Sequence, residues 1–149
     1  MLLTEFGLRI GAAALAGLFI GLERELHNKQ AGLKTNALVS LGAAVFVIAS
    51  LQFEGEDFID TTRVIGQVVT GIGFIGAGVI LQQGTRITGI TTAATVWCSA
   101  GAGCFAALGM FNELALATTL IVAINVIFRW LDNFISRKMN HNSADKTDD

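Results

Sequence analysis

The sequence contains no proline and few charges: 15% of its 149 residues are Asp, Glu, Lys or Arg. A soluble domain normally carries about a quarter charged residues. Without proline, no apolar segment is kinked by that residue. The formal net charge is only -2, and no basic stripe interleaved with aromatic residues is present, which argues against a nucleic-acid partner.

Cysteine and histidine are scarce, with two of each. Cys98 and Cys104 are six residues apart in one apolar segment. On a helix they would point to different faces, roughly 9 Å apart along the axis, and could not form a disulfide with each other. His27 has no second ligand at a suitable spacing, and no HExxH motif or phosphate loop is present. We therefore expect no enzymatic activity, no catalytic residue, no metal and no cofactor.

Long uncharged apolar runs separate the clustered charges, and 52% of the residues are hydrophobic. Runs of this length predict an all-α, polytopic membrane protein with five transmembrane helices in one domain, residues 1–131. A polar tail, residues 132–149, is expected to be disordered after Asn140. The predicted helices cover about residues 6–22, 37–53, 64–81, 90–110 and 114–131.

The basic residues predict an orientation. Five crossings place the first loop, the third loop and the tail on one side of the membrane. Of the ten Lys and Arg residues, only Arg9 and Arg63 fall on the other side. Because basic residues accumulate in cytoplasmic loops, we expect the N-terminus outside and the C-terminus in the cytoplasm. Glu5 lies four residues before Arg9 and is expected to pair with it on a helix.

The stretch from Arg63 to Gly103 consists of two glycine- and alanine-rich apolar segments around a short polar loop, Gln82–Gly89. Small residues let membrane helices approach closely, so we expect this stretch to be the tightly packed centre. It also contains a GxGxxG pattern, but the first acid after Gly76 is Glu113, too distant for a dinucleotide site. The predicted packing glycines are Gly66, Gly71, Gly73, Gly76 and Gly78.

Hydroxyl residues form a row along the fourth predicted helix. In membrane helices such side chains usually bond back to the carbonyl one turn earlier, or across to a neighbouring helix. Alternatively, the row forms a polar path or inter-helix site that opens to the cytoplasmic side. Gln67, Thr70 and Asn125 could then join it. The row consists of Thr88, Thr91, Thr92, Thr95 and Ser99.

Glu23, Arg24 and Glu25 lie where the first helix leaves the membrane. Charges at an interface are commonly just solvated, but carboxylates can also bind Mg²⁺. Arg24 separates the two acids, and Arg86 and Lys34 are expected nearby. The cluster therefore suits an ion-pair network or a protein partner better than a divalent cation.

Two helix starts have candidate capping residues. Thr35 or Asn36 could cap the second predicted helix. Asp60, Thr61 or Thr62 could cap the third.

Four ordered stretches of the chain resemble the MgtC/SapB family of bacterial inner-membrane proteins, and the resemblance extends to about Arg129. Loop residues are included, which apolar similarity alone would not reproduce. The resemblance implies a five-helix domain in the inner membrane, in agreement with the predicted topology. The stretches are Gly21–Glu25, Ala31–Val39, Gly71–Ile80 and Gly89–Ala100.

The same resemblance implies a role in adaptation to low Mg²⁺ and, in pathogens, a virulence role in survival inside macrophages. It implies action on partner membrane proteins, including the rotary ATP synthase, without transport of Mg²⁺. Members of the MgtC type carry a cytoplasmic ACT-like domain after the last helix. Only about 18 residues follow Leu131, so we expect that domain to be missing. Cys98 and the Glu23–Arg24 pair match the family, whereas some members have asparagine in place of Thr91.

Two functional hypotheses follow. The preferred one is a non-enzymatic membrane regulator that self-associates through its glycine faces and binds partner membrane proteins. The alternative is a small Mg²⁺ or cation transporter or channel subunit, assembled around polar positions at membrane depth. That alternative is weakened because no acid lies within any predicted span. The candidate functional residues are Glu23, Arg24, Lys34, Thr35, Asn36, Gln67, Arg86, Thr91, Thr92, Thr95 and Cys98.

Overall fold

The computed structural model describes residues 1–53, 55, 60–83 and 85–144. Within them, five helices are long and apolar enough to cross a membrane, which confirms the predicted fold class. A small two-stranded sheet lies between the third and fourth helices. The elements are α1 Leu3–Leu26, α2 Leu33–Leu51, α3 Thr61–Val79, β1 Leu81–Gln83, β2 Arg86–Thr88, α4 Ile90–Ala107 and α5 Phe111–Ala144.

Helix α5 continues well beyond Leu131, where the sequence predicts the last span to end. The apolar part of this helix ends at Asp132, but the backbone remains helical to Ala144. The expectation of disorder after Asn140 is therefore wrong for residues 141–144, while residues 145–149 lie outside the described part. Each residue added to an existing helix gains a backbone hydrogen bond, and no glycine or proline interrupts the stretch.

The predicted polar loop after the third helix contains an antiparallel hairpin of β1 and β2. Gly89 follows β2 with a φ of +91°, a left-handed conformation that glycine adopts without steric cost. A Cβ atom at this position would overlap the carbonyl oxygen of Val79, at the end of α3. Glycine therefore allows α4 to begin directly against the end of α3.

The centre of the bundle is formed by α1, α2 and α4, with α4 the most buried of the five spans. Glycines permit the close contacts. A Cβ on Gly17 would lie 2.5 Å from the carbonyl oxygen of Asn36, and one on Gly21 would lie 2.6 Å from the Cα of Leu33. A Cβ on Gly103 would overlap the carbonyl oxygen of Ser40. These three glycines set the backbone separations of α1 and α4 from α2.

Most of the predicted packing glycines of α3 do not bring that helix close to another helix of the same chain. A Cβ added to Gly66, Gly71, Gly73 or Gly78 would meet nothing within 4 Å among the described residues. Only Gly76 contacts a neighbour, with its Cβ position 3.6 Å from the Cβ of Ala93. The prediction of a tightly packed centre is thus correct for α4 and wrong for α3, because α3 turns most of its glycines away from the bundle.

One of the two predicted helix caps is present. The carboxylate of Asp60 accepts a hydrogen bond from the backbone N–H of Thr62, which confirms Asp60 as the N-cap of α3. The predicted cap of α2 is wrong, because that helix begins earlier, after Gly32, and has no side-chain cap. Thr35 and Asn36 therefore lie within the first turns of α2.

Candidate functional site

The last turn of α1 places two charged side chains in the interior of the bundle. Glu23 and Arg24 are 6% and 4% exposed. Glu23 Oε1 accepts a hydrogen bond of 2.7 Å from Arg129 Nη1 on α5, and His27 Nδ1 lies 3.3 Å from the same oxygen. Arg24 Nη2 donates a 2.7 Å hydrogen bond to Thr92 Oγ1 on α4. These contacts join α1 to both α4 and α5.

An ion-pair network therefore exists at this cluster, and among the described side chains Arg129, and not Lys34, pairs with Glu23. Lys34 is exposed at the start of α2, and the side chain of Arg86 lies outside the described part. The pairing residue is Arg129, which is 106 positions from Glu23 in the sequence. In the sequence, Arg129 is one of the basic residues that predict the orientation and lies where the family resemblance ends, but no pairing with Glu23 is predicted. Its position near the end of an apolar span was the available signal, because such a charge usually finds a partner.

Deeper in the bundle, α4 and α5 meet through Thr95 and Asn125. Thr95 Oγ1 donates to the carbonyl oxygen of Thr91 at 2.9 Å, so it bonds back within its own helix. The same hydroxyl lies 3.4 Å from both polar side-chain atoms of Asn125. Thr95 thus combines both of the ordinary roles that hydroxyls take in membrane helices.

Asn36 forms the next layer and is fully buried. Its Nδ2 donates to the carbonyl oxygens of Ala31 and Gly32, while its Oδ1 accepts a 2.7 Å hydrogen bond from Ser99 Oγ. The amide therefore closes the turn before α2 and links α2 to α4. Its role is internal: it caps backbone carbonyls and bridges two helices.

Beyond Ser40 the interior becomes apolar until Ser50 on α2, which is also buried and donates a hydrogen bond to the carbonyl oxygen of Val47. Ser40 Oγ donates to the carbonyl oxygen of Ala13 at 2.7 Å. The neighbouring interior is then apolar, and the residues that fill it are Ala43, Ala44, Val47, Ile48, Ala102 and Ala106.

A polar cavity of about 590 Å³ lies beside the charged cluster. It is bounded by the end of α1 and the turn after it, by β2, by the start of α4 and by the later part of α5. Two atoms of buried lining residues, Glu23 Oε2 and Arg24 Nε, have no hydrogen-bond partner among the described residues. Both residues line the cavity, but these two atoms are themselves shielded from solvent.

The remaining candidate residues are spread over other surfaces. Thr91 is exposed on the rim of the polar cavity, and Thr35 is exposed on α2. Cys98 is half-buried and Cys104 is buried, and both are free thiols. Gln67 is exposed on α3 and lines a separate, mainly apolar groove of about 460 Å³ between α2 and α3.

The structure thus brings together Glu23, Arg24, Thr91, Thr92, Thr95 and Asn36, and it separates Lys34, Thr35 and Gln67 from them.

Comparisons with known proteins agree with the resemblance of the sequence. The profile of the MgtC family matches residues 10–134. Protein MgtC of Salmonella typhimurium strain LT2 is 44% identical over 129 residues, covering 87% of this chain and 54% of the relative. Protein MgtC of Brucella abortus strain 2308 is 46% identical over 123 residues, covering 79% of this chain and 51% of the relative.

The chain spans about half the length of these curated relatives. No solved structure matches it significantly. The matched region begins within α1 and includes the charged cluster at the end of that helix and the other four spans. The chain is a multi-pass membrane protein that belongs to the MgtC family.

Proposed function

We propose that the protein is a non-enzymatic regulator of the bacterial inner membrane, which supports adaptation to low Mg²⁺ by binding partner membrane proteins. Family membership supports this class of function. The observation that carries it is the internal pairing of the buried polar side chains. Arg24, Asn36, Ser40 and Ser99 each bond to another part of the same bundle, so they serve to hold the helices together.

A transport path would need polar groups across the full thickness of the bundle. The buried polar side chains instead give way to an apolar layer beyond Ser40. The polar positions that the transporter hypothesis groups together are also divided between helices. Gln67 lies in the α2–α3 groove, whereas Thr95 and Asn125 lie between α4 and α5. These features favour a regulator over a carrier built within one chain.

The outer faces offer contact surfaces for the bilayer and for other membrane proteins. Phe74 on α3 is 84% exposed, and the surrounding face carries the glycines that have no neighbour within the chain. Small residues on an exposed membrane helix allow a second helix to approach closely. We place self-association, and docking of partners such as the rotary ATP synthase, on this face of α3.

Site-specific photocross-linking in the native host tests the proposal. A photoreactive residue at Phe74 should give a product with a second membrane protein, and more of it in low Mg²⁺. The matched control is Ile20, which is fully buried and should give no such product. Products with lipid alone at Phe74, together with normal growth of a deletion strain in low Mg²⁺, would overturn the proposal.

The orientation is part of the same proposal. With the N-terminus outside and the C-terminus cytoplasmic, the polar cavity, the hairpin and the end of α5 face the cytoplasm. A reporter fused after Asp149 should then read cytoplasmic, and one inserted near Glu56 should read periplasmic. The opposite pattern would invert every assignment of sides.

A further inference from the structure

The polar cavity beside Glu23 and Arg24 has the composition of a binding site. Its lining carries both signs of charge, with Glu23 and Asp132 as acids and Arg24, Lys29 and Arg129 as bases. Its volume of about 590 Å³ is within the usual range for small-ligand sites. The cavity is therefore large enough for a group that carries both charges.

Two unpartnered atoms specify what such a group must provide. Glu23 uses Oε1 to bind Arg129 and leaves Oε2 without a partner among the described residues. Arg24 uses Nη2 to bind Thr92 and leaves Nε without one. Both side chains are more than nine-tenths buried, and a buried polar group without a partner is costly. A ligand that donates to the carboxylate and accepts from the guanidinium would satisfy both, once a rotation of the two side chains turns these shielded atoms toward the cavity.

The start of α4 adds to the attraction for an anion. Gly89 is the N-cap and has no side chain to bond the first N–H groups of that helix. Such N–H groups and the helix dipole favour a phosphate or carboxylate nearby. Gly89, Ile90 and Thr91 line the cavity, and Lys29 stands at its edge. The anionic part of the ligand therefore belongs at this side of the cavity.

Apolar side chains also line the cavity, beside its charged residues. Ile87 of β2, Ile90 of α4, and Ile124 and Phe128 of α5 all line the cavity, and each is at least half exposed. Exposed apolar side chains near the end of membrane helices face the acyl region of a bilayer. A ligand with an apolar part next to its charged group would contact both surfaces.

From these observations we propose that the cavity binds the headgroup of a phospholipid carrying a phosphate and a primary ammonium. The phosphate lies against Arg24, Lys29 and the start of α4, and the ammonium donates a hydrogen bond to Glu23 Oε2, which a rotation of that side chain turns toward the cavity. The acyl chains lie against the apolar rim. This role is separate from the docking of a protein partner on α3.

Native mass spectrometry of the full chain in mild detergent tests the assignment. Phosphatidylethanolamine and phosphatidylcholine are added in equal amounts. Each of these lipids carries a phosphate, and their net charges are equal, but the choline headgroup has no N–H group. One hydrogen bond to a charged group is worth about tenfold in affinity, so we expect about tenfold more adduct with phosphatidylethanolamine.

Substitutions locate the site. Lys29→Gln should weaken binding of both lipids, because Lys29 is exposed and lines the cavity. Lys34→Gln, an equally exposed lysine away from the cavity, should bind as the unaltered protein does. Glu23→Gln should remove the preference for phosphatidylethanolamine over phosphatidylcholine.

Equal adducts with the two lipids would overturn the proposal, as would equal effects of Lys29→Gln and Lys34→Gln. Soluble phosphoethanolamine supplies the same charged groups without acyl chains. Displacement of the lipid by equimolar phosphoethanolamine would contradict the role of the apolar rim. The Lys29 comparison does not depend on any buried residue, so it remains decisive if Glu23→Gln does not fold.

Discussion

Ser99 on α4 donates a 2.7 Å hydrogen bond to the side-chain oxygen of Asn36 on α2, and both residues are fully buried. This bond links the two most buried spans directly. Asn36 also holds the carbonyl oxygens of Ala31 and Gly32, so one side chain fixes both the α1–α2 turn and the α2–α4 contact. The pair anchors the interior of the bundle.

Ser99→Ala should destabilise the protein by about 1–2 kcal/mol, because it leaves the oxygen of Asn36 buried without its donor. Denaturant unfolding in mixed micelles measures this change. Thr119→Ala is the control: Thr119 is exposed and donates a hydrogen bond to the carbonyl oxygen of Ala115 in its own helix. Equal midpoints for the two variants would show that the Ser99–Asn36 bond contributes nothing measurable.

Gly103→Ala should destabilise the bundle by about 1–3 kcal/mol, because its Cβ would overlap the backbone of α2 at Ser40. Gly73→Ala provides the matched comparison. Its Cβ would meet nothing within 4 Å, and alanine favours a helix over glycine, so the monomer should be unchanged or slightly more stable. The same unfolding assay measures both, and a larger loss for Gly73→Ala would contradict the arrangement of α3.

Arg129→Gln should destabilise the protein by about 2–4 kcal/mol, because it leaves the carboxylate of Glu23 buried without its cation. This loss of stability is smaller than that expected for a fully buried ion pair, because the side chain of Arg129 is itself partly exposed. Combining Arg129→Gln with Glu23→Gln should restore part of the loss, because it removes the unpaired carboxylate but leaves buried Arg24 without its acidic neighbour. Arg63→Gln, at an exposed position, should have little effect. A double variant less stable than Arg129→Gln alone would refute this pairing.

Asp60 makes the start of α3 sensitive to pH. Hydrogen bonds from the hydroxyl and the backbone N–H of Thr62 lower the pKa of its carboxyl group below the ordinary value. A lowered pKa in the folded state means that the cap stabilises α3 above the ordinary pKa, near 4. This stability is lost as the pH falls through the lowered pKa.

Thermal unfolding as a function of pH measures the contribution of this cap. The unaltered protein should unfold at a higher temperature than Asp60→Ala at neutral pH, and the difference should shrink in acid. A difference that stays constant from neutral pH into strong acid would show that the charge of Asp60 has no part in capping.

The sequence predicts the parts of this fold that depend on local pattern. Apolar runs locate the five spans, and the i,i+4 spacing of Glu5 and Arg9 predicts an ion pair that the structure contains. Asp60 caps α3 because capping depends on residues only two positions apart.

The remaining features depend on which helix faces which. The glycines of α3 and those at Gly17 and Gly103 give similar small-residue patterns. A Cβ on Gly17 or Gly103 would clash with the backbone of α2, whereas one on the glycines of α3, apart from Gly76, would meet nothing within 4 Å among the described residues. Small residues show that a helix can pack closely, but they do not show against what. The pairing of Glu23 with Arg129 likewise requires the rotation of α5 about its axis, which no local pattern records. The outline of the polar cavity follows from the same helix arrangement, and the sequence offers only the open alternative of an inter-helix site along the hydroxyl row.

Mg²⁺ flux into liposomes that contain the purified, folded protein tests the central claim most directly. Empty liposomes and a known carrier serve as the two references, and flux is measured with and without a membrane potential. The proposed regulator, with its interior apolar layer beyond Ser40, should give flux equal to that of empty liposomes. Flux above that level, and lost in Thr95→Val, would contradict the account and make the protein a transporter.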